Sequence, residues 1–245
     1  MLAWITGLAL VLLLTTSVLA ADILTVAVSA SFKRPFEQIT RRFEATHSVK
    51  IEASFSSTGI LYSQITNGAR YDVFLAADDK RPQLLYDMGL AERPVVYARG
   101  RVVLWAGREN LCKAGSWQSA IRDAGVQKIA IASPTTSPYG EAAEKVLRKE
   151  GLWEAVKPRF VYAQDVGQAF QYVYSRAAAA GFCALADAVS HAGREGCCFE
   201  VAEAPPVEHA ACVLKRTKNR EAIGLFVEFL LSPEAERIKG EYGYR

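Results

Sequence analysis

The chain has 245 residues and carries 29 Lys+Arg against 26 Asp+Glu, a formal charge of +3 with no basic block. So small and dispersed a surplus argues against nucleic acid or an anionic membrane surface as partner. With 51% hydrophobic residues the chain is too apolar for a disordered segment, and it is long enough for one large domain or two smaller ones with real cores.

Residues 1–20 contain no charged side chain, and Leu8 to Leu14 is almost unbroken aliphatic. The run is shorter than the ~20 apolar residues of a membrane span and ends in small residues, so it reads as a secretory signal peptide cleaved after Ala20 or Ala21. The mature chain is expected to be a soluble, exported globule. It begins with a strand-like "ILTVAVSA" and a helix carrying Phe36, Ile39 and Phe43 on one face, which starts close to Ser31 because Pro35 belongs in a first turn. "VKIEASF" alternates as a strand before a short helix through Ile60, Leu61 and Ile65; "YDVFLAA" is a further strand, and "RPQLLYDMGL" a helix ending at Gly89.

"RVVLWAG" and "KIAIAS" read as strands separated by the helix "WQSAIRDAG". "PYGEAAEKVLRKEG" is a helix with Pro138 at its first position and Gly151 past its end. Then follow the strand "RFVYA", a helix spanning "DVGQAFQYVYSRAAAAG", the strand "GFCALA", a turn-rich stretch through Gly196, and a C-terminal helix interrupted at Ser232-Pro233. This alternation specifies an α/β fold.

The five cysteines are Cys112, Cys183, Cys197, Cys198 and Cys212, an odd number in a disulfide-permissive compartment. Cys183 and Cys212 have apolar neighbours and read as buried. A vicinal ring between Cys197 and Cys198 is strained, so one of them is expected to pair with Cys112. His47, His191 and His209 are scattered, without metal-ligand spacing.

Four times a strand-like run ends in a small polar corner from which a helix starts: Ala30-Ser31, Ser57-Thr58-Gly59, Ser137-Pro138-Tyr139-Gly140 and Asp165-Val166-Gly167. The first turn of a helix presents unpaired N–H groups and a partial positive charge, an anion site that needs no cationic side chain. Ser31, Ser57 and Thr58 add hydroxyl donors, while Gly59 and Gly140 admit close backbone approach. Each corner alone is an ordinary cap. In open α/β sheets, however, such corners lie at the carboxyl ends of strands, where ligands bind. Asp72, Asp78 and Asp165 read as capping or strand-end residues.

The ordered set "VAVSASFKRPFEQI", "SFSSTGILYSQI", "YDVFLAADDK", "SPYGEAAEKVL", "AQDVGQAF" and "KGEYGY" resembles the periplasmic molybdate-binding proteins of ABC transporters over nearly all of the mature chain. The resemblance implies a type II periplasmic binding protein: two Rossmann-like lobes of mixed sheet joined by two crossover strands. Lobe 1 is then 21–98 plus 210–245, and lobe 2 is 99–209. It further implies an oxyanion, molybdate or tungstate, held between the lobes by neutral donors at Ser31, Thr58, Tyr139 and Val166, with Ala30 and Ser57 as additional donors. Metal enters only as the oxyanion, with no cation ligand and no cofactor. The implied partner is an ABC permease at the inner membrane, served by a monomeric periplasmic protein.

Two positions depart from that pattern. Ala184 stands where some members carry a tyrosine donor, leaving Tyr172 or Tyr174 as substitutes, and Thr58 stands where serine is common. They keep open a binder of another oxyanion such as sulfate, phosphate or chromate. A secreted hydrolase is the alternative from another class; the chain lacks a G-x-S-x-G elbow and any motif that pairs a histidine with a nucleophile, so no enzymatic activity is expected.

Overall fold

The computed structural model describes residues 22–245, and the expected signal peptide lies outside the described residues. The first lobe opens with β1 (Asp22–Ser29), a 3-10 turn (Ala30–Phe32) and α1 (Lys33–Thr46), then β2 (Val49–Ser56), α2 (Thr58–Thr66), β3 (Val73–Leu75), α3 (Lys80–Asp87) and β4 (Val95–Gly100). The second contains β5 (Val102–Ala106), α4 (Trp117–Arg122), β6 (Ile129–Ala132), α5 (Pro138–Lys149), α6 (Trp153–Val156), β7 (Phe160–Ala163), α7 (Val166–Tyr174), β8 (Ala180–Ala184), α8 (Leu185–Ala188) and β9 (Cys197–Glu200). The chain returns to the first through β10 (Val207–Val213) and ends in α9 (Arg220–Leu230) and α10 (Pro233–Glu241).

Two five-stranded sheets result, ordered β2-β1-β3-β10-β4 and β7-β6-β8-β5-β9. In each, the strands that precede the polar corners run parallel, β1 beside β2 and β6 beside β7. The register pairs Ser29 with Ser56 and Ala132 with Ala163, so both strands of each pair end at the same level. The corners therefore lie side by side within each lobe. The returning β10 runs antiparallel to β3 and β4, and β5 antiparallel to β8 and β9, which makes both sheets mixed.

Period-2 alternation divides the core of the first lobe. Leu24, Val26 and Val28 of β1 pack with Phe36, Ile39 and Phe43 of α1, whereas Ala27 faces Leu61 and Ile65 of α2 on the opposite side. Both sheet faces are covered by helices, which is why β5, β6 and β8 read as continuous apolar runs rather than alternating ones.

The two crossovers, β4 and β10, pair with each other, and the register shifts between His209 and Ala210. A bulge of this kind bends a strand locally and suits a joint between lobes. The C-terminal segment fastens this joint. Lys239 is buried with its Nζ donating to the Tyr97 carbonyl at 2.7 Å, and Arg245 exchanges backbone hydrogen bonds with Arg99. The "KGEYGY" ending is thus a brace against the crossover, with Gly243 at φ 77° making the turn.

Three features differ from the expectations. The helix read through "SRAAAAG" stops at Tyr174, because Arg176 takes a left-handed conformation at φ 63° and the Ala179 N–H bonds the Lys128 carbonyl, which leads the chain into β8. The residues of the crossover strand β4 and the edge strand β9 were not read as strands, although the resemblance implies two crossover strands. Among the cysteines, Cys112 bonds to Cys197, while Cys183 and Cys212 are buried thiols and Cys198 is free.

The Cys112–Cys197 bridge closes a loop across 85 residues and ties the segment after β5 to β9. Replacing Cys112 with alanine is expected to lower the unfolding free energy by about 2–4 kcal/mol. Urea denaturation checks this, and an unchanged midpoint would show that the bridge adds nothing to stability.

Candidate ligand site between the lobes

The four corners face one another across the joint. Gly59 N–H in the first turn of α2 donates to the Thr136 carbonyl, just before α5, at 2.8 Å. Gln164 Nε2 donates to Ser56 Oγ at 3.3 Å, and Arg81 Nη2 to the Thr135 carbonyl at 3.3 Å. A Cβ built on Gly167 would lie 4.0 Å from the Ala30 Cβ. The Ala30 corner thus abuts the start of α7, and the Ser57 corner abuts the approach to α5.

Ser31, Ser57, Thr58, Tyr139 and Val166 are all buried, none more than 3% exposed, and Ala30 is half-buried at the edge. Their polar atoms divide into those already engaged and those still available. Ser137 caps α5 through the Gly140 N–H and Asp165 caps α7 through the Gln168 N–H, so neither cap uses the N–H of Tyr139 or Val166. Thr58 Oγ1 accepts from the Ala77 N–H at 3.0 Å, which orients its own hydroxyl hydrogen away from that contact. Ser31 Oγ shares a hydrogen bond of 3.0 Å with Ser29 Oγ. Ser57 occupies the N-cap position of α2 without making a side-chain cap, and its Oγ is buried with no hydrogen-bond partner. A buried hydroxyl without a partner costs roughly 1–3 kcal/mol, so this group is poised for a bound acceptor.

Gly59 and Gly140 admit backbone as expected, but protein takes the space. A Cβ at Gly59 would come within 2.9 Å of the Thr136 Cα and carbonyl oxygen, and one at Gly140 within 2.1 Å of the Ala132 carbonyl oxygen. The first glycine lets the lobes meet, and the second lets α5 pack on β6.

Behind the corners lies an aromatic and imidazole cluster that sequence reading missed, because its members come from distant segments without a shared motif. His209 is fully buried among Phe32, Tyr97, Tyr139 and Tyr244. The Tyr97 hydroxyl donates to the Ala76 carbonyl and so accepts from His209 Nδ1–H; Nε2 is then the acceptor for the Tyr139 hydroxyl at 3.3 Å. Burial pushes the His209 pKa down to about 3, so the ring is neutral. Burial likewise raises the Tyr97, Tyr139 and Tyr244 phenols, which remain protonated donors. The Tyr244 hydroxyl donates to the Ser31 carbonyl at 2.6 Å and fixes the first corner from below.

Ala184 is buried at the end of β8 and offers no side-chain donor there. Tyr174 donates its hydroxyl to Glu195 on the surface, and Tyr172 packs against the core as a partly buried aromatic. Asp72 holds the Thr25 N–H and hydroxyl, and Asp78 accepts from the Arg81 N–H, both structural uses. No cluster of three or more His, Cys, Asp or Glu suited to a metal ion occurs among the described residues.

Two α/β lobes joined by paired crossovers, with uncharged donors turned toward each other at the helix starts, define a two-lobed solute-binding protein. The family model described as "Bacterial extracellular solute-binding protein" matches residues 24–245, and the chain belongs to that family, one of binders and not of enzymes. It is 35% identical over 237 residues to the molybdate-binding protein ModA of Azotobacter vinelandii, covering 95% of this chain and 93% of that one. Identity is 31% over 241 residues with ModA of Rhodobacter capsulatus, covering 98% and 94%. The solved periplasmic molybdate-binding protein of A. vinelandii superposes with a TM-score of 0.85 at 32% identity, over 91% of this chain and 98% of that one. The sulfate-binding protein SubI of Mycobacterium tuberculosis shares the fold with a TM-score of 0.75 at 13% identity, over 91% of this chain and 86% of that one.

Gly59→Ala should leave α2 intact, since alanine favours a helix over glycine by up to about 1 kcal/mol, while holding the lobes apart at Thr136. Small-angle scattering with a thermal melt checks this. The expected variant is more extended at an unreduced melting temperature; a scattering profile matching the parent's would mean that the clash is absorbed locally.

Proposed function

We propose that this protein captures a tetrahedral oxyanion, molybdate or its close analogue tungstate, in the interlobe cleft and delivers it to an ABC permease at the inner membrane. Ser31 and Thr58 donate through hydroxyl and N–H, Tyr139 and Val166 through N–H, with Ala30 and Ser57 as further donors. The lobes are 21–98 plus 210–245 and 99–209, flexing at the β4–β10 crossover, and the protein acts as a periplasmic monomer after loss of residues 1–20.

The observation that carries this reading is the orphan Ser57 Oγ beside the unspent first-turn N–H groups, in a site of neutral donors drawn from both lobes. Sequence similarity to proteins named as molybdate-binding supports the ligand. Neutral donors suit a transported dianion. Each charge-assisted hydrogen bond contributes ~1.5–3 kcal/mol, enough in number for tight capture, whereas a buried lysine would add a desolvation cost and slow release. Size supplies selectivity, because an oxyanion smaller than molybdate cannot reach donors on both lobes at once.

Molybdate at micromolar concentration is expected to raise the melting temperature, with sulfate and phosphate giving no shift. A shift with sulfate alone would reassign the ligand. Thr58→Val removes one hydroxyl at nearly constant shape, and Ser57→Ala removes the orphan; each is expected to weaken molybdate about tenfold or more by calorimetry. Unchanged affinity in both would put the pocket elsewhere.

A further inference from the structure

We propose that Arg34 and Asp187 form a latch across the cleft mouth, assembled when the lobes close, through which oxyanion retention is coupled to the protonation of Asp187. This rests on the oxyanion-binding reading above. Arg34 lies on α1 and Asp187 on α8, 153 residues apart, and the Arg34 Nε donates to Asp187 Oδ1 at 3.0 Å. The same guanidinium sits 5.8 Å from the centroid of the Phe170 ring on α7. Arg34 therefore leaves its own lobe and makes both of these contacts on the other. Among the described residues this is the ion pair that joins the lobes; the rest lie within one lobe or along the crossovers.

The pair borders the same depression as Ala30, Lys33, Asp165 and Gly167, next to the first and fourth corners. It is asymmetric. The Arg34 side chain is 32% exposed but that of Asp187 only 9%, and Asp187 Oδ2 is buried with no hydrogen-bond partner. A carboxylate oxygen enclosed without a donor makes the charged form costly and leaves room for a proton.

The surrounding charges act in both directions. Burial raises the Asp187 pKa most, Arg34 and Lys33 on α1 lower it, and Asp165 at the start of α7 raises it, for a result of about 6. Cys183 on β8, Tyr139 on α5 and Tyr244 near the C-terminus also lie within its field, and all three are held in their neutral forms by burial. In an open cleft the carboxyl is solvated and titrates near its ordinary value of 3.8. An acid whose pKa is higher in the closed form takes up a proton on closing, so closure gains as pH falls through about 6 and is insensitive to this group well above it. A dianion in the neighbouring site disfavours the ionised carboxylate further, which aligns proton uptake with capture.

The test is calorimetric titration of the mature protein with molybdate from pH 5 to pH 8, with circular dichroism as a check on folding. The parent protein is expected to bind roughly tenfold tighter at pH 5 than at pH 7. Asp187→Asn should abolish that dependence, which also separates it from protonation of the ligand itself. Arg34→Gln should move the transition to higher pH and weaken binding about tenfold at pH 8, where an unpaired carboxylate is buried. The double variant should recover most of that loss. A parent profile flat across this range, or an Asp187→Asn profile that follows the parent's, overturns the latch while leaving the oxyanion site standing; no molybdate binding at any pH overturns both.

Discussion

A backbone donor buried without a partner is a cost that a folded chain must resolve, and this protein concentrates that constraint in one place. The parallel strands β1, β2, β6 and β7 each lead, at the carboxyl end, into a corner where a helical turn begins. First-turn N–H groups have no intrahelical acceptor and ordinarily face water. Bringing the corners of two lobes together, as the Gly59–Thr136 contact does, removes that water. The donors then need an acceptor rich in lone pairs, and Ser57 Oγ, left without any bond in the protein, has the same need. An oxyanion bound as proposed would satisfy all of them together.

Apart from the Gly59 N–H, which Thr136 takes, and the Ser31 hydroxyl, which Ser29 shares, the surrounding architecture holds these corners in register while leaving their donors unspent. Ser137 and Asp165 cap the third residues of their helices and leave earlier N–H groups alone. Tyr244 secures the first corner through the Ser31 carbonyl rather than the Ser31 hydroxyl. The crossover supplies the complementary property, a place to bend. His209 sits at the register shift of β10 with one ring nitrogen donating and the other accepting, an arrangement available only to the neutral imidazole. Since its pKa is pushed down to about 3, the joint keeps the same hydrogen bonds at the pH values where Asp187 titrates. The joint therefore does not itself respond to a change of pH that protonates Asp187.

How much of this was legible in the sequence depended on whether the determinants were local. Strand-to-helix corners announce themselves through small polar residues, proline and glycine within a few positions, so the four corners were legible from the residues, while the choice of Ser31, Thr58, Tyr139 and Val166 within them rested on the resemblance. The Asp165 cap and the Pro138 start are likewise local signals, and both occur as read. What stayed hidden was set by partners far along the chain. His209 looked like an isolated histidine because Tyr97 and Tyr139 are 112 and 70 residues away. The role of Gly59 was half-read: its sequence context indicated close approach, but only the fold identifies the approaching group as Thr136. The overextended α7 shows the opposite limit, since alanine-rich "SRAAAAG" has high helix propensity and is overruled by the pairing of Ala180 and Gly181 with β6.

The division between an uncharged site and a charged rim follows from the demands of transport. A ligand that must later be released cannot be held by a fully desolvated ion pair, because separating such a pair leaves a buried charge and slows departure. Dipoles avoid this, but they give little help in deciding when the lobes should part. Arg34 and Asp187 occupy the position where a charge can serve that purpose: close enough to report closure, and exposed enough on the arginine side to be rehydrated when the lobes separate. Under the proposed arrangement the corners supply the contacts to the ligand, and one carboxyl group at the mouth adjusts with pH how firmly the closed lobes retain it.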